Sequence, residues 1–393
     1  MKPIKVLIAG GGIGGLALAV ALRERGVDSD VFERAKGYGN RGSGIELTPN
    51  GVKSLDHISA NLGAEVRRAG WTSDRHKDVM RIMASDGRLL KSRDVQAFSS
   101  RWDVPLVGIL RAELHRLLAE AAASPGPNTV TVHHDSAVAS AETSGDRAIL
   151  RLANGGSVTG DVVVGADGIH STVRRAVSGA PRPRYLGFTS IRGISPRPSK
   201  YGDGFVFVGP GGHFFAEACD EGRLFWTATV NGPEDSWPAK PVAAAKADLL
   251  DLWGGWAAPL PETVESCDLS DMVVTDVHDC DPLKRWYSGR VALLGDAAHP
   301  IGPVLGQGAN MALEDAARLA DLLASGKPVP ATLRAYERAR GRRANKIVRH
   351  SRLIAKLGHT HNPVIAKVRD LAIKVVNRRD EVYRDNELFS YQP

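Results

Sequence analysis

The sequence predicts an α/β fold in which a parallel sheet layered with helices carries an inserted antiparallel sheet domain and ends in a helical region. Three observations lead to it. The chain opens with an apolar run, a glycine-dense turn and an Ala/Leu-rich segment of helical pattern. Two later apolar runs end in Gly beside Asp, at 161–168 and 290–300. Between them, residues 181–274 alternate aromatic and Gly-rich stretches with the period of strands.

Taken in order, Lys5-Val6-Leu7-Ile8-Ala9 reads as a short buried strand, Ile13 to Glu24 as a helix stopped by Gly26, and Asp30-Val31-Phe32-Glu33 as a second strand. The turn Gly10-Gly11-Gly12-Ile13-Gly14-Gly15 joins the first two, and Glu33 follows after seventeen intervening residues. This is the dinucleotide-binding pattern of a Rossmann-like unit. Gly10 permits the tight turn, Gly12 lets a pyrophosphate approach the N–H groups of the helix start, and Gly15 lets helix and strand pack closely. Glu33 is placed to accept hydrogen bonds from an adenosine ribose. The motif alone leaves FAD and NAD open.

The runs Asp161 to Gly168 and Arg290 to Pro300 read as buried strands of the same sheet, with Asp167 and Asp296 at their C-terminal edge, where open α/β sheets hold ligands. The latter leads through Gly306-Gln307-Gly308-Ala309-Asn310 into a helix. A helix starting there aims its N–H groups and positive end at an anionic ligand. From Ala331 the pattern is helical, and Pro363 divides it in two.

At 393 residues, with 43% hydrophobic and 24% charged residues, the chain has the composition of a folded globular protein of two interleaved domains. Cys219, Cys267 and Cys280 are scattered and form no C-x-x-C pair, so a disulfide framework and a metal centre are not expected, and a reducing cytoplasm fits. No segment reaches membrane-spanning length, and five glycines interrupt Val6 to Leu22. The net charge of +7 conceals an excess of +12 within residues 331–379, where fourteen Lys/Arg meet two acids. With few aromatics and no nucleic-acid motif, this stretch is expected to be a solvated helix face. Neither nucleic acid nor membrane is expected as a partner, and the chain is expected to be a monomer or homodimer.

The three glycine-centred motifs, GGGIGG with Glu33, GADGIHSTVR, and GRVALLGDAAHP with GQGANMALEDA, occur in order between about residues 4 and 350. Together they resemble the single-component (group A) flavoprotein monooxygenases of the p-hydroxybenzoate hydroxylase type. The resemblance implies FAD as cofactor, NADPH or NADH as transient co-substrate, and oxygen delivered from a flavin C4a-hydroperoxide to an aromatic or other electron-rich small molecule. For FAD it implies Gly10, Gly12, Gly14 and Gly15 at the pyrophosphate turn, Glu33 with neighbouring Arg34 at the ribose, and Arg111 reaching in from a helix start. It further implies Val138 near the adenine, Asp167 and Asp296 as motif acids, Gly44 and Ile45 along the flavin ring, and Gly306, Gly308, Ala309 and Asn310 at its N1–C2=O edge. Arg41 either serves the pyrophosphate or is a solvated loop residue.

The same resemblance divides the chain into a discontinuous FAD-binding domain (1–72, 100–180, 275–330), a substrate-binding sheet domain (73–99, 181–274) and a C-terminal helical region (331–393). Pro303 resembles the proline at the face of the flavin where oxygen reacts. Arg192 either meets a substrate anion or makes a structural ion pair, and His213 is either a base or a solvated histidine on a glycine-rich turn. Phe215 and Trp226 are core residues, substrate platforms, or both, and His299 has a packing or hydrogen-bonding role. Two other readings share these residues: a flavin-dependent reductase of the same fold, and a non-catalytic flavin-binding redox sensor.

Overall fold

A computed structural model describes residues 4–37, 39, 43–75, 79–125, 128–179, 182–375 and 387–393. Arg41, expected at the pyrophosphate or on a solvated loop, lies outside the described residues. The opening strand Lys5–Ala9 runs parallel to Asp28–Phe32 on one side and Val162–Gly165 on the other. Val291–Leu293 and Val130–His133 extend the sheet in the same sense, and the short Tyr287–Ser288 closes one edge antiparallel. Every residue of Val162–Gly165 and Val291–Leu293 is buried, as strands covered on both faces require. Helix Ile13–Glu24 lies against helix Gly308–Ala324 on one face of this sheet.

The second strand ends at Phe32, one residue earlier than its expected end. Glu33 therefore stands in the loop at the sheet edge, where its carboxylate is free to turn back to the glycine turn.

Among the described residues the inserted sheet holds seven strands in the order Val273–Asp279, Arg184–Pro196, Arg223–Asn231, Gly212–Ala218, Gly204–Gly209, Val79–Ala84, Leu89–Asp94, antiparallel as expected except that Gly204–Gly209 runs parallel to Val79–Ala84. Its period-2 alternation separates two faces. Ile191, Phe205, Phe207, Phe214 and Trp226 point into a core shared with helices Val242–Trp253 and Leu260–Glu265. Those two helices lie within a stretch whose sequence texture predicts only strands. The alternate residues Arg192, Val206, His213, Phe215 and Thr227 face the parallel-sheet domain. Strand Val273–Asp279 belongs to this sheet because Thr275 pairs with Ser190, so the sheet reaches past residue 274. A small sheet of Gly44–Leu47, Val107–Leu110 and Trp71–Thr72 bridges the two.

The C-terminal region forms helices Val329–Gly358 and Pro363–Val375. Its basic excess is only partly solvated. Arg340 is fully buried between Glu314 and Asp315, Arg343 pairs with Glu314 at 2.9 Å, and Arg352 pairs with Asp279. Among the described residues no helix is long and apolar enough to cross a membrane.

Candidate active site

A cavity of 930 Å³ lies between the C-terminal ends of the parallel strands and the inward face of the antiparallel sheet. Its polar half is built by the glycine motifs. Gly10 sits at φ +102°, which a side chain would strain, and a Cβ on Gly15 would lie 2.0 Å from the Gly10 carbonyl oxygen. Both glycines thus make the turn. Gly12 differs, because nothing lies within 4 Å of where its Cβ would be, and it lines the cavity. Gly14 also lines the cavity and packs against Leu294 and Ala312 of the third motif.

Glu33 accepts the Gly11 N–H at 2.7 Å and the Ala35 N–H at 2.9 Å, which fixes its carboxylate beside the turn. His115 braces the same loop by donating Nε2–H to the Gly11 carbonyl at 2.7 Å, a contact that no local sequence signal announces. Arg34 is exposed and does not reach the cavity. Arg111 begins helix Arg111–Ala123 and lines the cavity, its N–H bonded to the Ser43 carbonyl.

The second and third motifs are fastened to each other by Arg174, which donates to the carbonyls of Ala297 and Asp296, both at 2.7 Å. Asp167 spends its carboxylate on Ser171 Oγ, Thr172 N–H and Val173 N–H, so its part is to cap this turn, while Gly168 lines the cavity. Val138 is likewise outside the cavity, where its carbonyl accepts from Thr172 Oγ1. Asp296 opens onto the cavity floor. Its enclosure raises the carboxyl above its ordinary value, against the pull of His299, Arg111 and Arg174. His299 donates to Asp315 at 2.5 Å, the hydrogen-bonding role expected of it.

The segment from Gly44 to Gly51 is held on the last motif by buried amides. Asn310 accepts the Thr48 N–H at 3.0 Å and donates to the carbonyls of Glu46 and Gly306, so it positions the wall and does not itself face the cavity. Gly51 allows this, since a Cβ there would meet Asn310 Oδ1 at 1.8 Å. Gln307 donates to Thr48 Oγ1 and accepts from Asn50. Gly44, Ile45, Pro303, Gly306, Gly308 and Ala309 all line the cavity. Helix Gly308–Ala324 therefore points the unpaired N–H groups of its first turn at the cavity.

The opposite wall is the sheet. Arg192 donates to Thr275 Oγ1 at 2.7 Å, but its buried Nε has no partner among the described residues and no carboxylate pairs with it there. Burial, then the Arg111 charge, lowers its pKa. Phe215 lies on the cavity wall and Trp226 in the core, bonded to Ser195 Oγ at 2.9 Å. His213 is on a strand, bonded to Thr229 Oγ1 at 2.7 Å, and burial followed by the Arg369 charge pushes it down to about 4. The solvated reading of this histidine does not hold.

The sequence patterns pass over two acids that the fold brings to this wall. Glu46 lines the cavity, and burial pushes it up to about 7 against the pull of Arg93. Glu217 is buried with both carboxyl oxygens lacking a partner among the described residues, and burial with the Glu46 charge raises it well above the ordinary range. The available signal is an acid inside each of two apolar strands, GIEL and HFFAEA. Between about pH 4.5 and 7 the unfolded chain has released the Glu46 proton that the folded chain still holds. Stability therefore falls as pH rises through this window. Glu46→Gln is expected to flatten that fall, by on the order of 1–3 kcal/mol at pH 8, in thermal unfolding measured from pH 4 to 8.

The residues fit FAD. An open cradle over Gly12, an acid at Asp296 and the helix start at Gly308 and Ala309 line one groove, while a second acid, Glu33, is not among the lining residues and stands beside it, held by the N–H of Gly11 next to Gly12. Comparison with known proteins shows the family. The family described as "FAD binding domain" matches residues 3–195 and 270–351. The chain is 34% identical over 386 residues to aurachin C monooxygenase/isomerase of Stigmatella aurantiaca, covering 95% of this chain and 94% of that one. It is 34% identical to 3-amino-4-hydroxybenzoate 2-monooxygenase PtnB3 of Streptomyces platensis, at 96% and 94% coverage. The structure of Klebsiella pneumoniae HpxO with FAD and uric acid superimposes with a TM-score of 0.88 at 26% identity, over 99% of this chain and 97% of that one.

Proposed function

We propose, since this chain belongs to the family of FAD-dependent monooxygenases built on that FAD binding domain, that its substrate is a small aromatic molecule bearing an anionic or readily ionised group. The observation that carries this reading is Arg192. A guanidinium on the wall of a half-apolar cavity, with Nε unpaired and no carboxylate paired with it among the described residues, is satisfied by an anion from the ligand. Phe215 and Phe225 supply apolar surface beside it for a ring.

When bound, FAD supplies the redox chemistry, taking a hydride from NAD(P)H and activating O₂. The chain's own residues do the rest. Gly12, Glu33, Arg111, Asp296, Gly308 and Ala309 would hold the cofactor along the groove, and the N–H groups of the last two would stabilise negative charge on the reduced ring. Pro303, in the turn Pro303–Leu305 on the cavity lining, would give a rigid wall beside the bound flavin. Glu46, on the cavity lining and with its pKa raised to about 7 by burial, would take a proton from an ionising substrate hydroxyl. His213, held neutral, fills the wall as a hydrogen-bonding group.

The test is Arg192→Met. It is expected to raise KM for the aromatic substrate roughly 10- to 100-fold, corresponding to the loss of a charge-assisted hydrogen bond. FAD content should stay at the wild-type level. Unchanged KM with an anionic aromatic, read in steady-state NAD(P)H oxidation, contradicts the assignment.

A further inference from the structure

Helix Pro363–Val375 carries its apolar stripe on the outside. Val364, Val368, Leu371 and Val375, at i, i+4, i+7 and i+11, are 67%, 62%, 58% and 65% exposed. This is one face of a helix, and it is turned away from the protein. The other face is anchored: Ala366 is buried, and Arg369 donates to the carbonyls of Gly209 and Gly358. The link before it is fixed to the antiparallel sheet by Asn231, which donates Nδ2–H to the His359 carbonyl at 2.7 Å. The stripe is thus held outward by the fold.

The preceding helix adds Leu353 and Leu357, also exposed and one turn apart. Within the same turns His350 and Ile354 line the active-site cavity. Exposed Lys356, Lys367 and Lys374 flank the apolar residues, and the acid of the second helix, Asp370, is taken by Arg369 at 2.8 Å.

We infer that the paired helices Val329–Gly358 and Pro363–Val375 present a docking surface for an anionic phospholipid membrane, with the cavity wall carried on the docked element. An exposed apolar stripe edged by lysines matches an interface whose headgroups are negative and whose interior is hydrocarbon. A second copy of the chain fits less well, because a symmetric face-to-face dimer would oppose the same three lysines. Residues 376–386, VNRRDEVYRDN, hold six charged residues and offer only Val376, Val382 and Tyr383 as apolar partners. A membrane partner departs from the expectation drawn from the sequence.

The full-length, FAD-loaded protein is sedimented with vesicles of phosphatidylcholine alone and of phosphatidylcholine with phosphatidylglycerol. Binding is expected on the anionic vesicles only, weakening as salt rises. Val368→Asp with Leu371→Asp, and separately Lys367→Glu with Lys374→Glu, should each lower the partition coefficient roughly tenfold or more while flavin content is kept. Failure to pellet with anionic vesicles overturns the inference, as does equal partition onto neutral ones. A stable dimer in size-exclusion chromatography that the aspartate variant disperses, without vesicle binding, assigns the face to self-association instead. The readout needs no turnover, so it is separate from the substrate assignment.

Discussion

Arg340→Met is expected to destabilise the protein by about 3–5 kcal/mol, because it breaks a fully buried charge cluster by removing its cation. Arg340 is 0% exposed and bridges two consecutive acids of helix Gly308–Ala324, pairing with Glu314 and reaching Asp315 through Nε at 2.7 Å. Those acids have further tasks. Asp315 accepts from the Gly295 N–H and from His299, fixing the loop that presents Asp296. Glu314 accepts from Asn50 at 2.6 Å, fixing the wall segment 44–51. Burial alone would push the Asp315 carboxyl up, but the His299 and Arg340 charges overcome it and hold it below its ordinary value. Removing the guanidinium leaves two carboxylates in a dry interior with too few cations. Urea unfolding should shift to a lower midpoint, and adding Glu314→Gln and Asp315→Asn should recover part of the loss. A midpoint equal to wild type contradicts the role given to this cluster.

Much of this fold is legible in sequence because its parts have local causes. The helix Ile13–Glu24 matches its apolar pattern and its Gly26 stop residue for residue. Helix Gly308–Ala324 starts at the second glycine of GQG, where the chain leaves the left-handed turn at Gly306. Period-2 alternation, applied to the register of Phe215 opposite Thr227 and Ala216 opposite Trp226, separates wall from core. Using it requires knowing which residues pair.

What escapes the sequence lies in contacts between distant segments. Arg174 and the carbonyls of Asp296 and Ala297 are more than 120 residues apart, and Arg340 reads as one more charge in a basic tail. Asn310 and Asp167 sit inside motifs that point to the cofactor, yet their side chains are consumed in positioning the backbone. Motif membership marks the loop, whereas the hydrogen bonds decide which of its atoms face the ligand.

Asp296→Ala is expected to weaken FAD binding roughly 10- to 100-fold, about 1.5–3 kcal/mol, with the fold retained. The side chain opens to the cavity floor, so its removal strips a ligand-facing group without breaking the interior. The neighbouring contacts that fix the loop run through its backbone carbonyl and through Arg174, and these remain. Asp296→Asn should lose less, since the amide oxygen still accepts. In the proposed site Gly12, Arg111 and Asp296 line one groove with Glu33 beside the glycine turn, and binding of FAD is the direct measurement. The flavin-to-protein ratio and the FAD dissociation constant are read for wild type and for Asp296→Ala, each checked for an unchanged circular dichroism spectrum. One bound FAD in the wild type and a raised dissociation constant in the variant are expected; equal affinity in the two would show that the groove does not hold the cofactor in this way.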